Sequence, residues 1–268
     1  MSAFEAICLV GWGAIASRAA ALLEERRSPV RIVAIAVRDA TRSRAGIPEG
    51  ASLIERPDQL AGTGATLVVE AAGRDGVEMW GRAALIAGMD FAVSSTSALV
   101  DDNVLASLLS IAEAHDARLL VPPGALGGVD ALAAAGRLPV RSVEHRIVKP
   151  ARAWVGTRAV AMVDLEHLTE PTVFYSNSAR AAADAFPQNA NVAVITALAG
   201  VGLDRTRVSL VADPGAKLNI HEILAEGDFG RMHLRFENRP LATNPKSSEM
   251  TALNIVRLIE NRVNPLAV

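Results

Sequence analysis

Residues 6–16 read AICLVGWGAIA, and this stretch decides the fold of the chain. A short apolar run ends at Gly11, and an alanine-rich segment with apolar residues at helical spacing follows it to Arg27. Gly11 allows a tight turn, Gly13 lets the backbone approach a pyrophosphate, and Ala16 permits close packing of helix against strand. We therefore predict a dinucleotide-binding turn between a buried strand and a helix, the alternative being an ordinary tight turn.

The residues around this turn predict which dinucleotide binds. The helix would offer free N–H groups, at Ala14 and Ile15, to the phosphates. At the end of the second predicted strand, Asp39 is suited to a ribose hydroxyl, as in NAD binding, whereas Arg38 and Arg42 are suited to the 2′-phosphate of NADP. The alternative is that all three are solvated. We expect NAD or NADP to bind, without a strict preference.

Further strands and helices alternate along the first half of the chain. Such alternation predicts an α/β fold with right-handed βαβ units, in this case an N-terminal Rossmann-type, doubly wound parallel sheet over residues 1–121. The predicted strands are 6–10, 31–37, 67–70, 91–94 and 118–121, and the later predicted helices are 77–87 and 101–115.

After Gly136 the pattern changes to strands that alternate polar and apolar residues, which is typical of a sheet with one solvated face. We expect a second, mixed α/β (α+β) catalytic domain at 122–245 and a last helix at 246–263 that packs back on the first domain. The predicted strands are 141–148, 159–165, 207–212, 218–225 and 232–237, and the predicted helices are 179–186 and 192–198.

Composition excludes several classes of protein. The 268 residues carry a formal net charge of −2, so no basic surface for nucleic acid is indicated. The single cysteine, Cys8, excludes an intramolecular disulfide framework and indicates a small core residue in a reducing compartment. Glycines, prolines or charges interrupt the apolar stretches, so neither a signal peptide nor a membrane span is predicted. We expect a cytoplasmic protein.

The segment Leu218–His221 carries the candidate catalytic residue. Alternation along a strand places Leu218 and Ile220 on one face and Asn219 and His221 on the polar face. A hydride leaves the α-carbon of an amino acid only after the ammonium has lost a proton, and a histidine of pKa near ~6.5 is a suitable base for that step. A lone strand histidine is otherwise a satisfied structural residue.

Seven segments, in order along nearly the whole chain, resemble the L-aspartate dehydrogenase family. They are GWGAIA at 11–16, VVEAAG at 68–73, PPGALGGVDAL at 122–132, FPQNANVAV at 186–194, NIHEI at 219–223, EGDFG at 226–230 and NPKSS at 244–248. The resemblance implies a Rossmann domain, a mixed α/β catalytic domain and NAD(P)-dependent oxidation of L-aspartate, with an iminosuccinate product that either hydrolyses or enters NAD biosynthesis. The chain departs from the family's usual pattern at Trp12, Ala16, Ser97 and Pro123.

The resemblance also assigns site residues. His221 matches the family's catalytic histidine, and Ala125 and Asn191 match cofactor-contacting positions. Asn191 is equally suited to capping the helix that it begins. Ala72, at the end of the strand over 67–70, is small enough to admit the nicotinamide ribose. Asn219, on the same strand face as His221, is expected to bind substrate.

A dicarboxylic amino acid needs cationic or N–H partners for its carboxylates. The candidates are Lys149, Arg158 and Lys246, and we favour Lys246 because it lies in a matching segment at the predicted start of the last helix. The remaining histidines, among them His145, are interpreted as structural, and their spacing does not predict a metal site.

Two other functions stay open at the level of the sequence. One is a dehydrogenase or imine reductase for another small dicarboxylate or modified amino acid, which Ser97 and Pro123 favour. The other is a regulatory protein that binds the dinucleotide without turnover. Neither nucleic acid nor membrane is an expected partner, and a homodimer is expected.

Overall fold

The computed structural model describes residues 5–187 and 190–267, and the side chains of Pro245 and Lys246 lie outside the description. The chain forms two units. Among the described residues, the first unit comprises those up to Pro122 and those from Ala252 onward, and the second comprises Pro123–Thr251.

The first unit is built on a parallel six-stranded sheet of order β3-β2-β1-β4-β5-β6. This is the strand order of a doubly wound dinucleotide-binding fold, so the predicted fold class is confirmed. Its elements are β1 (Glu5–Val10), α1 (Ala14–Glu25), β2 (Val30–Ala36), β3 (Ser52–Ile54), β4 (Leu67–Glu70), α2 (Arg74–Ile86), β5 (Asp90–Val93), α3 (Asp102–Ala114) and β6 (Leu119–Leu120).

The central strands are buried on both faces, as helices on both sides of a parallel sheet require. Cys8 is fully buried in β1, and burial raises the pKa of its thiol to about 12. The prediction that Cys8 is an inert core residue is therefore confirmed.

The second unit contains a mixed five-stranded sheet of order β11-β10-β7-β9-β8, in which only the described pair β7–β9 is parallel. Its elements are α4 (Val129–Ala135), β7 (Val140–Pro150), β8 (Thr172–Ser178), α5 (Ala179–Ala185), α6 (Asn191–Ala199), β9 (Arg207–Asp213), β10 (Asn219–Gly227), β11 (Gly230–Asn238), and the small pair β12 (Pro240–Leu241) and β13 (Asn244–Ser248).

The last helix, α7 (Glu249–Glu260), packs in the first unit through its residues from Ala252 onward. Ile255, Val256 and Ile259 join the apolar cluster formed by β1 and α1. Arg26 donates three hydrogen bonds to Glu260 at 2.8–3.1 Å, which ties the end of α1 to the end of α7.

Two sequence predictions about secondary structure were wrong, and some strands were missed. The last helix begins at Glu249 rather than Lys246, because Asn244–Ser248 pairs with β12 as a strand and an acidic residue suits a helix N-terminus better than a lysine. The predicted strand 159–165 is a 3-10 turn (Arg158–Ala161) followed by irregular chain. The strand β8 was not predicted, since its sequence TVFYSNS ends in polar residues.

Candidate functional site

The turn after β1 forms one wall of a cleft in the first unit. Gly11 has a φ of +91°, and a Cβ there would lie 2.8 Å from the Cα atom of Ala72, so the position requires glycine. A Cβ on Gly13 would meet no described atom within 4 Å, so its backbone faces open space. Gly13 is also the N-cap of α1 and has no side chain that could accept from the first-turn N–H groups. The turn can therefore receive an anion at the start of α1.

This cleft has a volume of about 600 Å³. It brings together five of the residues predicted to bind the cofactor, whereas Ala14 and Ile15 begin α1 beside it. The five are Gly11, Gly13, Arg38, Asp39 and Ala72.

Asp39 and three arginines share the far end of the cleft. Thr41 donates to Asp39 Oδ1 from its backbone at 2.9 Å and from its hydroxyl at 2.6 Å, and these bonds lower the pKa of the Asp39 carboxyl. Arg38, Arg42 and Arg44 line the same cleft. A carboxylate for ribose hydroxyls and guanidinium groups for a 2′-phosphate are thus both available, and the residues fit NAD or NADP.

Trp12, one of two departures from the family pattern in the segment 11–16, has a structural role. Its indole Nε1 donates to the backbone oxygen of Ala45 at 3.0 Å. This bond fastens the segment that carries Arg42 and Arg44 to the glycine turn.

The second unit holds a separate polar cluster on the buried face of its sheet. His221 and Asn219 on β10 are 2% and 1% exposed, so the prediction that they lie on the solvated face was wrong. On β7, His145 and Lys149 are also buried, although sequence analysis interpreted His145 as merely structural. On this face His145 contacts both His221 on β10 and Thr196 on α6.

His221 lies between His145 and Lys149. It is paired with Ile147 in the β10–β7 register, so the residues two before and two after Ile147 are its diagonal neighbours. The Nδ1 atom of His221 lies 3.3 Å from Nε2 of His145. Burial, together with the positive charge of Lys149 and the neighbouring His145, lowers the pKa of His221 well below the ordinary histidine value. His221 is therefore neutral at physiological pH and able to accept a proton.

Thr196 on α6 extends this cluster. Its hydroxyl lies 2.9 Å from Nδ1 of His145 and donates to the backbone oxygen of Val192 at 3.0 Å. Burial lowers the pKa of His145 to about 3, so His145 is also neutral. Sequence reasoning missed Thr196, and no local signal points to it because it meets β7 only in the folded unit.

Asn219 has an unused acceptor. Its Nδ2 donates to the hydroxyl of Ser248 at 3.4 Å, while its buried Oδ1 has no hydrogen-bond partner among the described residues. A buried amide oxygen without a partner is costly and points to a donor supplied from outside the protein.

The remaining predicted residues of this unit are also located. The backbone oxygen of Ala125 accepts a 2.7 Å hydrogen bond from Asn238, which is paired with Asn219. Asn191 is the first residue of α6, whose N-cap is Ala190. Lys246 lies in β13, and its side chain is outside the described residues, so the structure does not test its predicted contact with substrate.

The described residues contain neither a cluster of metal ligands nor a membrane-spanning helix. In that part of the chain, no three His, Cys, Asp or Glu side chains are grouped so as to hold a metal ion. None of the described helices is both long enough and apolar enough to cross a bilayer.

Comparison with known proteins covers nearly the whole chain. Residues 130–262 match the family described as aspartate dehydrogenase, C-terminal, and residues 11–122 match the NAD binding domain of homoserine dehydrogenase. An L-aspartate dehydrogenase of Brucella anthropi is 68% identical over 98% of this chain and 98% of its own length. One of Ruegeria pomeroyi is 41% identical over 96% of this chain and 92% of its own.

A solved structure shares the fold. The aspartate dehydrogenase of Thermotoga maritima superposes with a TM-score of 0.80 at 24% identity, covering 99% of this chain and 100% of that one. With the dinucleotide cleft of the first unit and the full-length similarity to L-aspartate dehydrogenases, the chain belongs to the aspartate dehydrogenase family of NAD(P)-dependent oxidoreductases.

Proposed function

We propose that this protein oxidises L-aspartate to iminosuccinate with NAD or NADP as hydride acceptor. The observation that carries the proposal is the 68% identity to an L-aspartate dehydrogenase over 98% of both chains. The buried polar cluster of the second unit supports it, because the cluster supplies a neutral base, a cation and an unpaired acceptor.

In the first unit, the glycine turn and the start of α1 would hold the pyrophosphate, through Gly11, Gly13 and the N–H groups at Ala14 and Ile15. Asp39 and Arg38 would hold the adenosine ribose. When bound, the oxidised nicotinamide supplies an acceptor for two electrons and a proton in the form of hydride. Ala125 and Asn191 are proposed as its further contacts in the second unit.

In the second unit, His221 is the proposed general base. The substrate enters with a protonated α-amino group, and His221 takes one of its protons, which leaves a lone pair on nitrogen. That lone pair forms the second carbon–nitrogen bond as the α-hydrogen departs with its electron pair, so the product is the iminium form of iminosuccinate. After His221 has lost its proton to solvent, the neutral imidazole can take a proton from the water that attacks the iminium carbon, which gives a carbinolamine. Return of that proton to the carbinolamine nitrogen lets the carbon–nitrogen bond break as the hydroxyl loses its proton, so that ammonia leaves and oxaloacetate remains.

Asn219 and Lys149 would orient the substrate. The unpaired Oδ1 of Asn219 is suited to accept from the α-nitrogen, since it lies on the same strand face as His221. Lys149 lies two residues beyond Ile147, the partner of His221 on β7, and its positive charge acts on the His221 ring. It would therefore attract a carboxylate of a substrate bound beside His221. Lys246 stays a proposed second cation for the other carboxylate.

The test is the absorbance of the reduced nicotinamide with L-aspartate and either dinucleotide, together with the reverse reaction from oxaloacetate and ammonia. Replacing His221 with Ala should lower kcat by about 10²–10⁴-fold and leave dinucleotide affinity nearly unchanged. His233→Ala is the matched control, since His233 is exposed on the neighbouring strand β11. Dinucleotide binding without turnover of either aspartate or oxaloacetate plus ammonia would contradict the proposal.

We also propose that the protein is a cytoplasmic homodimer and that the product of its reaction supplies NAD biosynthesis. The sheet face opposite α6 supports the dimer, since it carries the exposed apolar residues Leu224 and Val173. Light scattering after size-exclusion chromatography should give twice the mass of the chain, and Leu224→Glu should reduce it. A monomeric mass for the unmodified protein would refute the dimer.

A further inference from the structure

Thr196, His145 and His221 form a continuous chain of hydrogen bonds in the second unit. Starting from α6, the chain runs from the backbone oxygen of Val192 to the Thr196 hydroxyl at 3.0 Å and on to His145 Nδ1 at 2.9 Å. It ends with the 3.3 Å contact between His145 Nε2 and His221 Nδ1. All three side chains are buried, so solvent does not compete for these bonds.

The direction of donation along this series of hydrogen bonds follows from the groups at its start. A carbonyl oxygen cannot donate, so the single hydroxyl proton of Thr196 lies toward Val192. The Thr196 oxygen must then accept, and His145 must donate from Nδ1. If the hydroxyl donated to His145 instead, two oxygen atoms would face each other at 3.0 Å without a proton between them.

A neutral imidazole carries one N–H group, and this fixes the rest of the chain. Since His145 uses its proton at Nδ1, its Nε2 is an acceptor, and His221 must donate from Nδ1. The remaining ring nitrogen of His221, Nε2, then carries a lone pair. Burial lowers the pKa values of both histidines, which agrees with two neutral rings.

We infer that Thr196 and His145 are positioning residues that hold His221 in the Nδ1–H tautomer, so that its Nε2 is permanently available as a base. The inference rests on the proposed function, in which His221 takes a proton from the substrate ammonium. Among the described residues, Lys149 on β7 is the charged group that acts on His221, and its positive charge favours the neutral ring to which this tautomer belongs.

The experiment is ¹⁵N NMR of the histidine rings in the free protein at neutral pH, because nitrogen shifts distinguish protonated from unprotonated ring atoms. We expect His221 to be protonated at Nδ1 alone. Thr196→Val keeps the shape of the side chain but removes the hydroxyl, so the Nδ1–H population of His221 should fall and kcat should decrease about tenfold, less than the 10²–10⁴-fold lost with the base itself. Thr196→Ser keeps the hydroxyl, so the Nδ1–H population of His221 and kcat should both stay near those of the unmodified protein.

Two further comparisons distinguish a role of Thr196 and His145 in positioning His221 from a role in packing the core. Thr206→Val is the matched control, because Thr206 is buried in the same unit and its hydroxyl donates to the backbone oxygen of Gly202 at 2.9 Å, away from the histidines. It should leave the tautomer of His221 unchanged. His145→Gln keeps an acceptor for His221 and should retain more activity than His145→Phe, which has none.

The outcomes are distinct. A His221 ring protonated at Nε2 in the unmodified protein, or a tautomer that Thr196→Val does not alter, would overturn the inference. If the tautomer behaves as expected but His221→Ala retains full turnover, the assignment of the tautomer stands and the proposed base role of His221 fails.

Discussion

Glu70 and Ser95 are joined by two hydrogen bonds across the ends of the neighbouring strands β4 and β5. The Ser95 backbone donates to Glu70 Oε2 at 3.0 Å, and the Ser95 hydroxyl donates to Oε1 at 2.9 Å. Oε1 also accepts from the backbone N–H groups of Ala72 and Gly73. Because Ala72 and Gly73 line the dinucleotide cleft, one buried carboxylate holds a wall of that cleft in place.

Glu70→Gln should therefore destabilise the protein and weaken dinucleotide binding. The new amide would place N–H donors against backbone N–H donors, and we expect a loss of about 1–3 kcal/mol in the free energy of unfolding. Urea denaturation and a titration with NADH or NADPH measure the two effects. Ser95→Ala, which removes only one hydroxyl, should cost about 1 kcal/mol. Equal stability of Glu70→Gln and the unmodified protein would disprove this role.

Gly11→Ala should lower the stability of the protein, whereas Gly13→Ala should weaken dinucleotide binding. At Gly11 a Cβ meets Ala72 at 2.8 Å in a backbone conformation of positive φ, so the expected result is a lower melting temperature. At Gly13 the Cβ enters open space where a pyrophosphate would lie, so the fold should persist while the Kd of the dinucleotide rises about tenfold or more. Calorimetry and a binding titration on both variants check this, and unchanged affinity in Gly13→Ala would refute the assigned phosphate site.

Stability should fall on acidification because of the two neutral histidines. The pKa values of His145 and His221 lie below 6.5 in the folded protein, that of His145 at about 3, so the unfolded chain binds more protons as the pH falls below 6.5. Their contribution is complete above pH 6.5 and is lost as the pH falls, at up to about 1.4 kcal/mol per pH unit for each group. Urea denaturation at pH 7.5 and pH 5 should show a smaller loss in His145→Phe.

His115→Gln is the control for this pH effect, since His115 is exposed at the end of α3. It should lose as much stability on acidification as the unmodified protein. Identical slopes for His145→Phe and His115→Gln would show that the buried histidines do not control the pH dependence.

Lys149→Met should impair substrate binding and shift the pH profile. Loss of a charged partner for a carboxylate costs about 1.5–3 kcal/mol, or about 10–150-fold in kcat/KM for L-aspartate. Removal of the positive charge raises the pKa of His221, so the acid limb of the kcat/KM profile should move to higher pH. Lys217→Met, at an exposed lysine, should change neither. An unshifted acid limb in Lys149→Met would contradict the placement of this charge beside His221, the proposed base.

The two faces of α7 should respond differently to truncation. Ile259→Ala removes a side chain that is 0% exposed in the cluster with β1 and α1, and should cost about 2–5 kcal/mol. Leu253→Ala removes one that is 39% exposed and should cost less than about 1 kcal/mol. Both are measured by urea denaturation, and similar losses would mean that α7 does not contribute to the core as described.

Much of the first unit was predictable because its determinants are local. The glycine turn, the apolar runs and the amphipathic helices each lie within one stretch of chain, and β4 was predicted at its observed bounds, Leu67–Glu70. In contrast, residues 246–248 of β13 were mistaken for the start of the last helix, because pairing with β12, rather than local composition, determines their conformation.

The sequence identified His221 as the candidate base, but it did not identify the side chains that surround it. His221 followed from strand parity, proton chemistry and family resemblance, whereas His145 lies 76 positions away in sequence and reaches it only through the β7–β10 register. The buried face was misassigned for the same reason: alternation shows that two faces differ, but not which of them receives α6. Lys149 was one of three candidate cations, and only its diagonal position beside His221 distinguishes it.

The return of α7 to the first unit has a consequence for how the protein is made. During translation, β1 and α1 emerge first, yet Ile255, Val256 and Ile259 that cover them are added only after every residue of the second unit has been synthesised. The nascent dinucleotide-binding unit therefore leaves the ribosome with part of its apolar surface uncovered. We expect the second unit, contiguous in sequence, to reach its native state first, and the first unit to complete its fold only when α7 has emerged, so that chaperone capture would matter most before then.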